Sequence, residues 1–532
     1  MRTKQLYFFA IGVLTAALVA TMPFRALFEP DESRYALVAQ GMLQEGHWLV
    51  PQLEGRPYTH KPPLYLWCVA ALRKLGLPWT AAAVLPSFIP ALFLLLALPR
   101  LAQSFGVEPE AGYLSGVLLV ASPLYATMAL AARMDMLLAL ATTMAFAAAY
   151  QLLTADLSPR AVGRWRWTFW LSLGLGVMSK GPVALALVFL TLALFGAVSR
   201  QALPWNHVFG GWVWLGSLML ILAWFIPAAW HQGWEWVEEI LIWQSAGRMV
   251  KSFAHQEPFY FHLITWPLTG FPTALLALWA ALTWWRRRQH SSERFLASAF
   301  LAILLFFSAI SGKLIVYLLP LVPVAVLLVG RLVSQGAWGS RWLWGASATT
   351  GLLLGLALAS AGFWRTELTP WRGWITPIGF IVATFSALGL YFAFRGHHRR
   401  ALLATVAAGL SFTGVVLPVM THILDQRLAV RALAQRYRQL CPGEASGLVF
   451  RDFLSGLPLY AGMPFQRLKE VEELQAALRS GKPVVMTQRE WEQAAGLVNL
   501  PVHLERFSYR RSWLLIVQPA KDWPAVLPQQ RL

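Results

Sequence analysis

The chain has 532 residues, of which 57% are hydrophobic and only 13% charged, against about 25% charged in a soluble domain. These proportions exclude a water-soluble globule, a disordered chain, collagen and a coiled coil, and leave a polytopic membrane protein. The net charge of +19 falls in short clusters between apolar runs, such as Arg286-Arg287-Arg288 and His397-His398-Arg399-Arg400, which is the pattern of membrane-flanking loops and not of a nucleic-acid surface.

With about 20 apolar residues per crossing, thirteen spans are predicted, at 6–24, 81–99, 111–130, 136–153, 167–179, 182–198, 211–230, 259–284, 295–311, 314–330, 343–362, 374–394 and 401–420. The first follows Met1-Arg-Thr-Lys4 and is long enough to be an uncleaved span. Two polar insertions interrupt the series, at 25–80 and 231–258. The predicted division is a transmembrane catalytic domain over 1–424 and a small α/β domain over 425–532. With the N-terminus in the cytoplasm, the cytoplasmic segments hold 16 basic residues and the short outer loops 5, namely Arg133, Lys180, Lys313, Arg365 and Arg372. That asymmetry places both insertions and the tail outside, in the periplasm if the cell is Gram-negative.

Within the insertions, Ser33–Gly46, Pro62–Leu75 and Trp234–Met249 read as amphipathic helices lying along the interface. In the tail, Gly447–Phe450, Pro483–Thr487 and Trp513–Val517 read as strands, and Val471–Arg479 and Arg489–Ala495 as helices. No repeat or nucleotide-binding glycine loop occurs. The two cysteines, Cys68 and Cys441, suggest neither a disulfide framework nor a metal site.

The chemistry-bearing residues gather on the outer side. Asp31 and Glu32 open the first insertion's helix in Phe28-Glu-Pro-Asp-Glu-Ser-Arg34-Tyr35, where capping is the alternative role. Tyr58-Thr-His60-Lys61-Pro-Pro holds its lysine extended ahead of a helix start, placed to meet a phosphate or the headgroups. Arg133, Asp135, Lys180 and Lys313 sit at outer span ends, with Arg248 and His255 in the second insertion. Ionisable groups at that depth face a cavity or a partner or snorkel to the interface. Their shared face points to one polar site.

The ordered set Asp-Glu-x-Arg-Tyr, Tyr-x-x-Lys-Pro-Pro-x-Tyr-x-Trp, an acid opening the fourth span, Lys-Gly, and Gly-Lys-Leu-x-x-Tyr-x-Leu-Pro resembles the aminoarabinose transferase branch of the protein O-mannosyltransferase-like glycosyltransferases. The resemblance covers the whole chain. It implies a GT-C fold and inverting transfer of a sugar from a polyprenyl monophosphate, usually undecaprenyl phosphate, to an acceptor outside the inner membrane, lipid A in that branch. It also assigns residues. Asp31 matches the aspartate at the reaction centre, with Arg34 and Tyr35 beside it, and Asp135 the second acid. Lys61, Tyr58, Lys180 and Tyr317 match the family's lysines and tyrosines, and Arg248 its second-loop arginine. His60 departs from the usual Glu, so the resemblance implies neither the sugar nor a metal at that position. The expected catalysis is metal-independent and without a cofactor, because the outer loops carry no Asp-x-Asp of the kind that holds a metal-bound diphosphate donor; a divalent metal is the alternative. Lys61, Arg248, Lys180 and Arg34 are the expected phosphate ligands, and Tyr35, Tyr58, Tyr317, His60 and His255 the expected substrate contacts. The partners expected are the lipid-linked donor, lipid A or another envelope glycan, and membrane lipids. The alternatives are transfer to a protein or glycan hydroxyl and a non-enzymatic lipid transporter.

Overall fold

A computed structural model describes residues 3–199, 202–240, 256–286, 290–336, 340–428, 430–498, 500–509 and 512–519. Among these, eight helical stretches are long and apolar enough to cross a membrane, from Thr3–Thr21 to the one that opens at His398. The pair Pro109–Val120 and Pro123–Ala129, bent by 70°, makes a ninth if it is one crossing. The bend falls at Pro123, which supplies no backbone N–H to continue the first helix. The chain is thus a helical multi-pass membrane protein.

The other four predicted spans coincide with helices that are shorter or more polar. Val183–Val198, Ala274–Trp284 and Leu321–Ser334 are short, and Pro159–Lys180 opens with Arg160, Arg164 and Arg166. Local chemistry explains the shortening. The predicted 259–284 span is split into Phe261–Thr269 and Ala274–Arg286 on either side of Pro272. The predicted 314–330 span begins as a 3-10 turn, Ile315–Leu318, and becomes α-helical only at Leu321, after Pro320.

The described residues divide into two compact units. The first comprises 1–23 and 45–420, and the second 24–44 and 421–532. In the first, the insertion helix is Leu64–Lys74, and the second insertion begins as Trp234–Glu238; the rest of the predicted Trp234–Met249 helix lies largely outside the described residues. The two insertions share an apolar cluster of Val50, Trp67, Met178, Trp224, Trp236 and Val237. Trp224 Nε1 donates to Leu49 O at 2.9 Å, and Thr59 Oγ1 donates to Glu239 Oε1 at 2.6 Å.

The second unit joins the start of the first insertion to the tail. Its sheet has the order Phe465–Leu468, Gly447–Phe450, Val484–Thr487, Ser512–Pro519, Val502–Tyr509. The first three strands run parallel and the last two pair antiparallel. Val471–Arg479 and Gln488–Ala494 are helices, each opened by a capping box. The segment before the Asp31–Glu45 helix is tied in by hydrogen bonds between backbone N–H groups and side-chain oxygens. Ala26 N donates to Asp425 Oδ1 (2.5 Å), Leu27 N to Tyr460 Oη (2.7 Å), and Gly456 N to Glu29 Oε1 (2.6 Å). Arg431 Nη2 donates to Phe24 O at 3.2 Å and pairs with Asp425 at 3.3 Å.

Candidate active site

The best-built polar cluster lies in the first unit. Asp135 is the first residue of the Asp135–Thr154 helix, and Lys180 the last of Pro159–Lys180. The two helices run in opposite directions, which puts the two residues at the same end. Gly181, with φ +81°, ends the second helix immediately after the lysine, a conformation glycine adopts at little cost. Close packing fixes the helices: an added Cβ at Gly176 would lie 2.8 Å from Ala184 Cβ and 3.4 Å from Ala141 Cβ.

Lys180 Nζ donates to Asp135 Oδ1, and Arg133 Nε reaches Oδ2 at 3.3 Å. Both carboxylate oxygens are therefore occupied, and Asp135 is 3% exposed. The Lys61 ammonium also acts electrostatically on this carboxylate. Arg133 is held through its backbone, because its N–H donates to Ser87 Oγ (3.0 Å) and its carbonyl accepts from the same hydroxyl (2.5 Å). Lys180 Nζ stands 4.7 Å from the centroid of the Tyr317 ring, and that ring packs at 5.4 Å on Phe307. The 3-10 turn that shortens the predicted tenth span is what carries Tyr317.

Four residues singled out in the sequence, Arg133, Asp135, Lys180 and Tyr317, thus come together, with Lys61 within electrostatic reach of Asp135. Tyr58 and His60 lie close in the chain to Lys61; their rings meet edge to face at 5.3 Å, with Tyr58 buried and His60 exposed. Lys313 is a different case. It is 4% exposed, and its ammonium donates to the carbonyls of Glu257 (2.8 Å) and Ile310 (2.6 Å). Its donors serve to hold the end of the second insertion, where Gln256 bridges Gly312. Ser87 and Glu239 were not legible as site-building residues, since nothing local to either shows what it will meet.

In the second unit, the adjacent acids Asp31 and Glu32 have separate surroundings. Glu32 is buried, paired with Arg25, and accepts the Phe28 N–H at 3.0 Å. Asp31 is about one third exposed and stands 3.7 Å from Arg34. Tyr35 is 4% exposed on the same helix. Arg248 and His255 lie outside the described residues. Both cysteines are free thiols.

A family profile described as dolichyl-phosphate-mannose-protein mannosyltransferase matches residues 10–242. Among curated relatives, undecaprenyl phosphate-alpha-4-amino-4-deoxy-L-arabinose arabinosyl transferase 1 of Sodalis glossinidius is 30% identical over 60% of this chain and 58% of its own length. The corresponding transferase of Yersinia enterocolitica is 28% identical over 60% and 58%. The match thus spans somewhat over half the length of these relatives. Among solved structures, ArnT from Cupriavidus metallidurans bound to undecaprenyl phosphate superposes with a TM-score of 0.80 at 20% identity, covering 98% of this chain and 99% of that one. Its apo form gives 0.76 over 96% and 97%. The chain has this GT-C membrane fold, its residues 10–242 match the dolichyl-phosphate-mannose-protein mannosyltransferase profile, and the curated relatives it resembles are aminoarabinose transferases.

Proposed function

We propose that the chain is an inverting glycosyltransferase of the bacterial inner membrane. It moves a sugar, with 4-amino-4-deoxy-L-arabinose the first to test, from a polyprenyl monophosphate to lipid A or another envelope acceptor on the periplasmic side. The observation that carries the reading is the convergence of Lys180 and Arg133 on Asp135 beside the Tyr317 ring, with Lys61 within electrostatic reach. Cations gathered this way recognise a phosphate.

In the proposed step an acceptor oxygen attacks the anomeric carbon and the bond to the donor phosphate oxygen breaks. The electron pair leaves with the polyprenyl phosphate, whose negative charge grows. Cations fixed in advance against that charge are the largest catalytic term available. Lys61 and Lys180 are assigned to it here, and Arg248 and Arg34 by the resemblance. Asp135, with both oxygens engaged, positions the cations. Asp31 belongs to the second unit, and its role comes from its motif: it orients a phosphate acceptor, or takes the proton of a hydroxyl acceptor. Tyr35, Tyr58, Tyr317, His60 and His255 are the proposed sugar and acceptor contacts.

Mass spectrometry of lipid A and envelope glycans, comparing a deletion strain with the complemented strain, tests the reading. Loss of one sugar substituent on deletion, restored by the wild-type gene and not by Lys61→Ala, is the expected result. Unchanged lipid A and glycans would overturn it.

A further inference from the structure

A second polar site lies at the far end of the Asp135–Thr154 helix, about 30 Å from Asp135 at 1.5 Å per residue over its 20 residues. A cavity of about 270 Å³ opens there, lined among others by Thr154, Asp156, Phe195, Ser291 and Arg294. Arg294 is only 7% exposed. Its Nη1 makes one long contact, 3.4 Å to Val198 O, and its Nε has no partner. The neighbouring Glu293 is turned to Arg331 (3.6 Å) and Gln335. Among the described residues no carboxylate pairs with Arg294.

A buried guanidinium without a counter-charge is costly, and its planar fork suits a phosphate. The Ser291 hydroxyl, in the cavity wall, lies 3.0 Å from that of Tyr150, and Asp156, also in the wall, is exposed. The volume is near the lower end of ligand pockets, about 300–1,000 Å³, which suits a headgroup and not a whole lipid.

We propose that this cavity binds the headgroup of a leaflet phospholipid, with the phosphate on Arg294 and a headgroup N–H donor facing Asp156. Phosphatidylethanolamine has both features, whereas phosphatidylcholine offers the phosphate without the donor. The site is separate from the transfer reaction proposed above and does not depend on it.

The test is thermal unfolding of the purified full chain in detergent, with phosphatidylethanolamine, phosphatidylcholine or inorganic phosphate added. The expected result is a rise in Tm with phosphatidylethanolamine, a smaller one with phosphatidylcholine and none with inorganic phosphate. Arg294→Gln should weaken the phosphatidylethanolamine response about tenfold in apparent affinity, one charge-assisted contact. Asp156→Asn should remove the difference between the two lipids. Ala155→Phe, which fills the cavity and leaves Arg294 in place, should abolish the response and covers the case in which Arg294→Gln does not fold. A full response in Ala155→Phe, or an equal one to inorganic phosphate, would overturn the proposal.

Discussion

Lys180 Nζ donates to Asp135 Oδ1 while standing over the face of the Tyr317 ring. One contact joins the ends of two antiparallel helices, and the other reaches the 3-10 turn of a third segment. The ammonium is therefore fixed by a carboxylate and an aromatic face together.

The buried pair should fail asymmetrically. Removing one partner of such a pair leaves the other charge buried, at about 3–5 kcal/mol, whereas replacing both with apolar groups of similar size is nearly neutral. Asp135→Leu should therefore lower Tm in detergent far more than the double variant Asp135→Leu/Lys180→Met. Equal Tm in the two variants would show that the contact carries little stability.

The Tyr317 ring should matter more than its hydroxyl in holding Lys180. Tyr317→Phe keeps the face, and Tyr317→Leu removes a cation–π contact of about 0.5–2 kcal/mol. Chemical denaturation of both variants should rank leucine as the less stable, and the reverse ranking would assign the effect to the hydroxyl.

Asp31→Asn should abolish turnover and leave stability within about 0.5 kcal/mol. Asp31 is partly exposed and 3.7 Å from Arg34, a pair worth little in water, and Asn starts a helix about as well as Asp. Wild-type turnover in Asp31→Asn would reduce Asp31 to a helix cap.

Burial raises the Glu29 carboxyl above its usual value, against the opposing hydrogen bond from Gly456 N. The folded state then holds the proton more tightly than the unfolded chain. The stability this contributes is present below the unfolded value of 4.5 and is lost as pH rises through the folded value. Glu29→Gln cannot ionise, so its stability relative to wild type should improve as pH climbs from 4 to 7. Parallel pH profiles of Tm would contradict the assignment.

Much of this was legible in the sequence, for identifiable reasons. Apolar runs located the crossings, because lipid leaves the backbone few other options. Their internal breaks were less visible: Pro272 and Pro320 divide runs that read as continuous. In the tail, the strands Gly447–Phe450 and Val484–Thr487 are buried apolar runs and were read directly. Phe465–Leu468 was missed because its central Gln466 and Arg467 are exposed at the sheet's edge. Val502–Tyr509 was missed although its alternation of apolar and polar residues suits a strand. The grouping of 24–44 with a tail some 400 residues later could not be read locally, since it rests on partners such as Asp425 and Tyr460. At the candidate site, span-end positions identified Asp135 and Lys180, and the Lys-Pro-Pro segment of the first insertion identified Lys61, as polar groups of one face. That Asp135 would have both oxygens engaged depends on helix packing at Gly176, which no spacing rule reports.

The most direct test of the central claim is sugar transfer by the purified full chain in detergent. It would be given a polyprenyl-phosphate sugar and, in parallel, lipid A, dephosphorylated lipid A or a peptide. The account predicts transfer to intact lipid A, much less to the dephosphorylated form, and loss of donor use in Lys61→Ala by about 1.5–3 kcal/mol in kcat/KM, the worth of a charge-assisted contact. No sugar release from the donor with any acceptor would contradict the claim, and transfer to the peptide alone would replace the lipid acceptor with a protein.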